Sequence, residues 1–458
     1  MTPADPGSFR DPNGTVFERD GRIYRQVNRS FASEWDAFNS SGLADTLQRK
    51  GLLIPHEEVD LSLAIDDRAY RIVRPQRVDF ISYPYEWSFG ALKDAALTTL
   101  AAQDAALEAG MTLKDASAYN VQFVDGKPIL IDSLSFRPNE PTPWIAYGQF
   151  CRHFLAPLAL MAYRDVRWGL QFRTFIDGAP LDLAVAMLPG RTRLRLGLAM
   201  HLRAHSRAER RVRGDQAARA TQARVSETAQ RALVDSLRRT IEALSWRLPR
   251  TTWSGYTTRT SYSAAAAESK ARIVREMLAA TSGERVWDIG AGTGDFSRMA
   301  VEAGKRVIAF DADPVEIERL YLSMRSGEAR AILPVLMNFT NPSPSLGWAH
   351  RERRSLADRG PAPIVLALAV IHHLAIGNNV PLTEISAFFA RLGEELIVEF
   401  VPKEDPQTAS MLAARRDVFS DYSVEGFRRA FEADFEIARE AQVADSVRTL
   451  FLMRRRSR

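Results

Sequence analysis

The chain has a single cysteine, Cys151, in 458 residues. It forms no internal disulfide, and with no second thiol or Cys/His cluster beside it there is no zinc-type ligand set, so no metal site is expected. A reducing, cytoplasmic setting fits. Long apolar runs are missing too: stretches such as IVLALAVI at 364–371 fall far short of the roughly 18–20 residues of a membrane span. The opening MTPADPGSFRDPNG has neither the basic start nor the apolar segment of a secretory signal. No internal repeat is present.

What is there reads as a soluble, folding chain, 46% hydrophobic and 26% charged. Its length suggests two or three domains, and two is the working number. The net charge of +5 is uneven: residues 191–250 hold 15 Arg against 5 Asp and Glu, a local +10, so the remainder sums to −5. Such a stripe attracts phosphates, nucleic acid or anionic lipid; the plainer reading is a solvated Arg-rich helical linker, bending near Gly214. The expected organisation is an α+β domain over 1–190, the basic helical linker over 191–250 and an α/β domain over 251–458. Nothing in the sequence sets an oligomeric state.

In the first domain, VFERDGRIYRQV reads as a hairpin around Asp20-Gly21, and 91–110 as a helix stopped by Gly110. VQFVDGKPILIDSLSF supplies two strands around Asp125-Gly126. Beyond Pro249, short apolar runs alternate with amphipathic helices, the pattern of a parallel sheet with crossover helices.

Within that pattern VWDIGAGTGDFSRMA, 286–300, is a strand entering a glycine turn and then a helix. Gly290, Gly292 and Gly294 lack Cβ atoms, so the turn is tight and a ligand can approach the backbone where the helix presents free N–H groups. Seventeen residues on, Asp311 ends the strand RVIAFD, where a carboxylate accepts hydrogen bonds from a ribose diol. A nicotinamide or flavin Rossmann domain competes for these features. The run DIGAGTG at 288–294, however, resembles the first motif of class I S-adenosylmethionine (SAM)-dependent methyltransferases, in which an acid heads the turn. That resemblance spans about 200 residues of the chain. It implies a Rossmann-like sheet of seven strands with the last one antiparallel. It places Asp288 near the methionyl end of SAM, Asp311 on the ribose and Asn338-Phe339 beside the adenine.

PIVLALAVIHHL, 363–374, resembles the family's fourth strand and following loop, and ELIVEFVP its fifth strand. FEIAREAQV and RTLFLMRRR resemble the terminal strand pair. Methyl transfer is an in-line displacement that needs alignment and exclusion of water more than a strong base. For a hydroxyl acceptor, His372 or His373 is a candidate to take the proton, with passive pocket lining as the plainer role; Glu399 is a further candidate. WSGYTTRTSY at 253–262 offers Tyr256 and Tyr262 as walls over the pocket or is an interdomain loop. Arg351, Arg353 and Arg354 read either as anion contacts or as a solvated helix face.

LKDASAYNVQFVDGKPILIDSLSF, 113–136, resembles the catalytic loop of the protein-kinase and aminoglycoside-phosphotransferase superfamily. The match rests on Asp115 and Asn120 in a D-x-x-x-x-N spacing and on Asp132 after a hairpin. It implies a kinase-like fold and, for an active enzyme, ATP and Mg²⁺. The sequence departs from it in lacking a glycine-rich loop and a V-A-I-K-type lysine, and in having Ser133-Leu134 after the second Asp. Over its whole length the chain is similar to bacterial two-part proteins of the NoeA type, which implies a carbohydrate or lipid-linked acceptor. The expected function is therefore SAM-dependent O-methylation of a small-molecule or glycan-like acceptor. A bifunctional kinase-methyltransferase and an RNA-modifying enzyme using the basic linker are the alternatives. Nucleic acid is disfavoured, since no N-P-P-Y-type motif follows the fourth strand.

Overall fold

A computed structural model describes residues 4–211, 224–249, 263–327, 330–413 and 416–456. Tyr256, Tyr262, the bend near Gly214 and the expected boundary at residue 251 lie outside the described residues. The chain divides into two compact units, Met1–Arg247 with Leu346–Arg353, and Leu248–Ser345 with Arg354–Arg458. Among the described residues no helix is long and apolar enough to cross a membrane, and no cluster of His, Cys, Asp and Glu is placed to hold a metal ion.

The first unit opens with an antiparallel sheet of β1 (Gly14–Arg19), β2 (Arg22–Asn28), β3 (His56–Val59) and β4 (Ala69–Pro75), in the order β1-β2-β4-β3. Asp20 and Gly21 both take positive φ, 51° and 72°, which is what a tight hairpin turn with the strands' own twist demands. The helix Phe89–Glu108 follows, capped by the Ser88 side chain and ended at Gly110, whose φ is +69°. Beyond it β5 (Met111–Leu113) pairs with β8 (Phe136–Pro138), and β6 (Val121–Val124) with β7 (Lys127–Leu130) around Asp125-Gly126. The loop before β6 and the turn after β7 thus lie between two paired ribbons, and they carry Asp115, Asn120 and Asp132.

The expected linker is corrected in its described part. The helix Glu227–Glu242 buries Gln230, Val234, Leu237 and Ile241 and belongs to the first unit. Two of its three arginines are partnered: Arg238 pairs with Asp104 and Asp235, and Arg231 with Glu227. The reason is periodic. Apolar residues at 234, 237 and 241 fall on one helical stripe, so this helix packs as an amphipathic element whatever its net charge.

The second unit is a seven-stranded sheet made of β9 (Arg285–Ile289), β10 (Arg306–Asp311), β11 (Ile332–Leu336), β12 (Ala362–Ala367), β13 (Gly393–Phe400), β14 (Phe435–Gln442) and β15 (Thr449–Arg455). Its order is β11-β10-β9-β12-β13-β15-β14. β9 to β13 run parallel, and β15 lies antiparallel between β13 and β14. The central strands are almost wholly apolar because helices cover both faces, and their side chains, such as Val286, Ile364, Leu366 and Ile397, form the core with Ile273, Val274 and Met277. This is the class I methyltransferase topology, seven strands with the last inserted antiparallel. A dinucleotide-binding sheet instead continues as parallel strands in the order 3-2-1-4-5-6, so the nicotinamide or flavin reading is set aside.

Candidate functional site

In the second unit the glycine turn lies at the carboxyl end of β9. Gly290, Gly292 and Gly294 have φ of 74°, 53° and 80°, all in the left-handed region that side chains avoid. Their surroundings differ. A Cβ on Gly290 would lie 2.7 Å from Val370 Cγ2 and one on Gly294 2.7 Å from Leu320 Cδ1, whereas one on Gly292 meets nothing within 4 Å among the described residues. Two of the glycines serve packing, and Gly292 keeps one backbone face open.

The turn is tied down by two carboxylates. Asp311, at the end of β10, accepts from Gly292 N–H at 2.8 Å through Oδ2 and from Asp313 N–H at 2.8 Å through Oδ1. A carboxylate has about four acceptor positions, so two remain for a diol. Asp288 is buried on β9 and accepts from Ser297 Oγ at 2.5 Å, bracing the strand to the helix Asp295–Glu302. Burial pushes its carboxyl up to about 6, and repulsion from Asp311 adds to this, while the Ser297 bond and Lys270 pull the other way. Burial raises Asp311 as well.

Asn338 is exposed, and its Oδ1 accepts from both Thr340 N–H at 2.9 Å and Thr340 Oγ at 2.8 Å. Its carbonyl is therefore engaged, and the atom left to meet a purine is Nδ2, a donor to a ring nitrogen. Phe339 stands edge-on to Phe310 with centroids 5.7 Å apart, which fixes an aromatic ring beside the end of β10. Open glycine backbone, a half-buried acid with spare acceptor positions and an aromatic neighbour fit the adenosyl and methionyl parts of SAM.

His372 is fully buried, and among the described residues neither of its ring nitrogens has a hydrogen-bond partner. Burial, the adjoining His373 ring at 4.1 Å and Arg448 hold its imidazole neutral, with a pKa down to about 2. Burial and Arg448 lower His373 too. As a titrating base His372 is corrected; a neutral ring with unmet nitrogens is a hydrogen-bonding group awaiting a polar partner.

Glu399 is also corrected as a base. Lys270 Nζ lies 2.6 Å from its Oε2 and Arg448 Nη1 3.5 Å from its Oε1, all three side chains being buried. Arg448 in turn grips Asp405, Nε to Oδ2 at 2.7 Å and Nη2 to Oδ1 at 3.1 Å. A buried carboxylate with a cation on each oxygen is already engaged and has no free position for a substrate proton. The sequence reading missed Lys270, although it sits at 270 on the helix stripe formed by 266, 273, 274 and 277, and a lone charge on an apolar stripe signals a buried partner. Arg448 carries no such signal.

In the first unit Asp115, Asn120 and Asp132 are brought together. Asp115 Oδ1 accepts from Ser117 N–H at 3.0 Å and from Gln149 Nε2 at 2.7 Å, and burial followed by repulsion from Asp132 raises its pKa. Asn120 Nδ2 donates to Ser135 Oγ at 3.3 Å, and Ser135 Oγ donates to Asp132 Oδ2 at 2.8 Å. Asp132 Oδ1 accepts from Leu134 N–H at 2.9 Å and lies 2.6 Å from Arg25 Nη1. The ATP and Mg²⁺ implied by the kinase resemblance do not fit this donor set, because three of the second aspartate's acceptor positions are taken and its counter-charge is a guanidinium. Arg25, on β2, went unnoticed because no spacing connects it to Asp132.

Arg353 is corrected as a solvated helix face. Its guanidinium carbon lies 4.1 Å over the Tyr119 ring, and it lines a cavity of the first unit with Asp115 and Asn120. Arg351 and Arg354 are exposed.

No protein-family model matches the chain. Among solved structures, the bifunctional kinase-methyltransferase WbdD is similar at 14% identity over 41% of this chain and 39% of its own, with a TM-score of 0.29. Magnesium protoporphyrin IX methyltransferase (ChlM) from Synechocystis PCC 6803, with bound SAH, is similar at 17% identity over 42% of this chain and 85% of its own, with a TM-score of 0.30. At such scores the fold of the second unit rests on its own strand order. The nodulation protein NoeA of Rhizobium meliloti (strain 1021) is 35% identical over 461 aligned residues, 98% of this chain and 95% of its own length, and the chain belongs to the NoeA family.

Proposed function

We propose that the protein is a SAM-dependent methyltransferase acting on an oxygen of a small-molecule or glycan-like acceptor. The observation that carries this is the Gly292–Asp311 bond, 2.8 Å from amide to carboxylate, at the carboxyl edge of a sheet ordered β11-β10-β9-β12-β13-β15-β14. SAM bound there supplies a methyl group made electrophilic by the adjoining sulfonium. Asp311 holds the ribose through its two spare acceptor positions, Asp288 keeps the turn in shape, and Asn338 Nδ2 with Phe339 faces the base. His373, half-buried beside His372 after β12, accepts a hydrogen bond from the acceptor hydroxyl and orients its lone pair. Burial lowers that ring's basicity, so the hydroxyl is not ionised beforehand; as the oxygen bonds to the methyl carbon and the carbon–sulfur bond breaks, the oxygen becomes strongly acidic and its proton passes to the His373 ring.

Nodulation, named in the relative, is carried to this chain as the setting. We read the first unit as kinase-like in fold, on the strength of its β5–β8 and β6–β7 ribbons around Asp115, Asn120 and Asp132, and as having no phosphotransferase activity. Calorimetry of SAM and S-adenosylhomocysteine tests the main reading. Asp311→Ala weakens binding at least tenfold, since a charge-assisted hydrogen bond contributes roughly 1.5–3 kcal/mol; unchanged affinity overturns the assignment.

A further inference from the structure

The first unit contains a cavity of about 390 Å³, at the small end of the roughly 300–1,000 Å³ typical of small-molecule sites. Its wall is polar and held in place. Gln149 is fixed at both ends, its Oε1 accepting from Ala116 N–H at 2.7 Å and its Nε2 donating to Asp115 at 2.7 Å. His153 Nδ1 accepts from Ala118 N–H at 3.3 Å, and burial keeps the ring neutral with a pKa of about 4. Tyr119, Asn120 and the exposed Asp177 complete this side.

The remaining wall comes from the segment Leu346–Arg353, which packs with the first unit although the strands before and after it in sequence belong to the second. That segment is stapled down. Glu352, its side chain 4% exposed, pairs with Arg10 at 2.7 Å and accepts from Trp348 N–H at 2.6 Å. Gly347, Ala349 and His350 take φ of 83°, 51° and 57°, and two consecutive non-glycine residues in the left-handed region persist only where surrounding contacts enforce them. The outcome is Arg353 over Tyr119 with its buried Nε unpartnered among the described residues.

We propose that this cavity binds an uncharged, hydroxyl-rich ligand, a sugar or cyclitol, without metal. The charges on its wall are one cation, Arg353, against two carboxylates, Asp115 and Asp177. An anionic ligand meets a net negative wall, and a cationic one meets the Arg353 guanidinium, whose buried Nε–H needs an oxygen acceptor. A hydroxyl both donates and accepts, so a polyol satisfies guanidinium and carboxylates together. A nucleotide would need a divalent cation, and Asp132, the carboxylate that would hold it, is paired with Arg25. This inference concerns a different site from the methyl-transfer reading and does not rest on it.

Ligand-observed saturation-transfer NMR followed by calorimetry on the full chain tests it. The probes are the methyl glycosides of glucose, galactose and mannose, and myo-inositol; glucose 6-phosphate and glucosamine are the charged comparators. At least one neutral probe binds, equally in EDTA and in Mg²⁺. Arg353→Gln and Asp177→Ala, the second at an exposed position where folding is not at stake, each weaken it about tenfold, as loss of one charge-assisted hydrogen bond does, while SAM affinity stays unchanged. The proposal is overturned if no neutral probe binds, if a charged comparator binds as tightly, if binding requires Mg²⁺, or if it survives both substitutions.

Discussion

Arg25 Nη1 lies 2.6 Å from Asp132 Oδ1, so the carboxylate that the kinase resemblance assigns to a metal is paired with a guanidinium. Addition of ATP with Mg²⁺ is therefore expected to leave the melting temperature unchanged; a rise that Asp132→Ala abolishes would falsify the assignment. The pair also stabilises the fold, with side chains 14% and 17% exposed. Arg25→Ala is expected to cost about 2 kcal/mol in urea denaturation, between the values for exposed and fully buried pairs.

How far such features were legible depends on whether the sequence carries a period or a local motif. The sheet of the second unit was, because β9 to β13 are apolar runs separated by helical stripes and the DIGAGTG turn is contiguous at 288–294. The β1–β2 and β6–β7 hairpins were, because Asp-Gly at 20–21 and 125–126 dictates turn geometry locally. Arg25 on Asp132 and Arg448 on Asp405 were not, being contacts between distant segments that leave no periodic trace. Net charge misled for Glu227–Glu242, where its balance hid an apolar stripe. Arg353 failed for the related reason that three arginines in one run suggest a single face, yet positive φ at Ala349 and His350 turns the chain and sends only one of them inward.

Gly290 and Gly292 separate packing from ligand approach. Gly290→Ala combines a left-handed φ with a Cβ 2.7 Å from Val370, and is expected to destabilise by about 3 kcal/mol, conformational strain plus overpacking. Gly292→Ala meets open space, so only the strain of roughly 1–2 kcal/mol applies, yet SAM affinity falls because the methyl group occupies the ligand's side. Urea denaturation and calorimetry on both variants give the comparison, and a Gly292→Ala protein with undiminished SAM binding sinks the idea that its backbone faces the ligand.

Lys270, Glu399, Arg448 and Asp405 form a buried alternating chain of charge. Removing one end leaves a carboxylate short of a cation in a dry environment, so Lys270→Met is expected to cost about 3–5 kcal/mol. Lys270→Met with Glu399→Gln should cost less than the sum, since neither charge is then stranded and Arg448 keeps Asp405. The cycle is read from urea midpoints; additive losses would mean that the pair is uncoupled.

His372 is expected to stay neutral throughout the physiological range, with its pKa at about 2. In ¹H–¹⁵N spectra tuned to imidazole nitrogens its signals should not move between roughly pH 8 and pH 5, where an ordinary histidine titrates. A midpoint inside that range would return it to the role of a titrating base.

Acid should weaken the first unit before the second. In the first, His56, His153, His201 and His205 are all lowered from 6.5 by burial, His153 and His201 to about 4, against one raised acid, Asp115. A lowered histidine stabilises the fold fully above its unfolded pKa, and that stability is lost as pH falls from about 6.5 toward 4 while the unfolded chain takes up protons, on the order of 3 kcal/mol each for His153 and His201. In the second unit two lowered histidines, His372 and His373, face three raised acids, Asp288, Asp311 and Glu316. A raised acid has the opposite sign: its stability is present below the unfolded pKa of 3.8 for Asp288 and lost as pH rises through the folded value of about 6, so acidification restores it and offsets the histidines. Scanning calorimetry from about pH 7.5 to pH 4.5 should show the first unit's transition falling more steeply, the second being the one that SAM raises. His153→Gln with His201→Gln should flatten that slope, and parallel slopes for the two transitions would refute the balance.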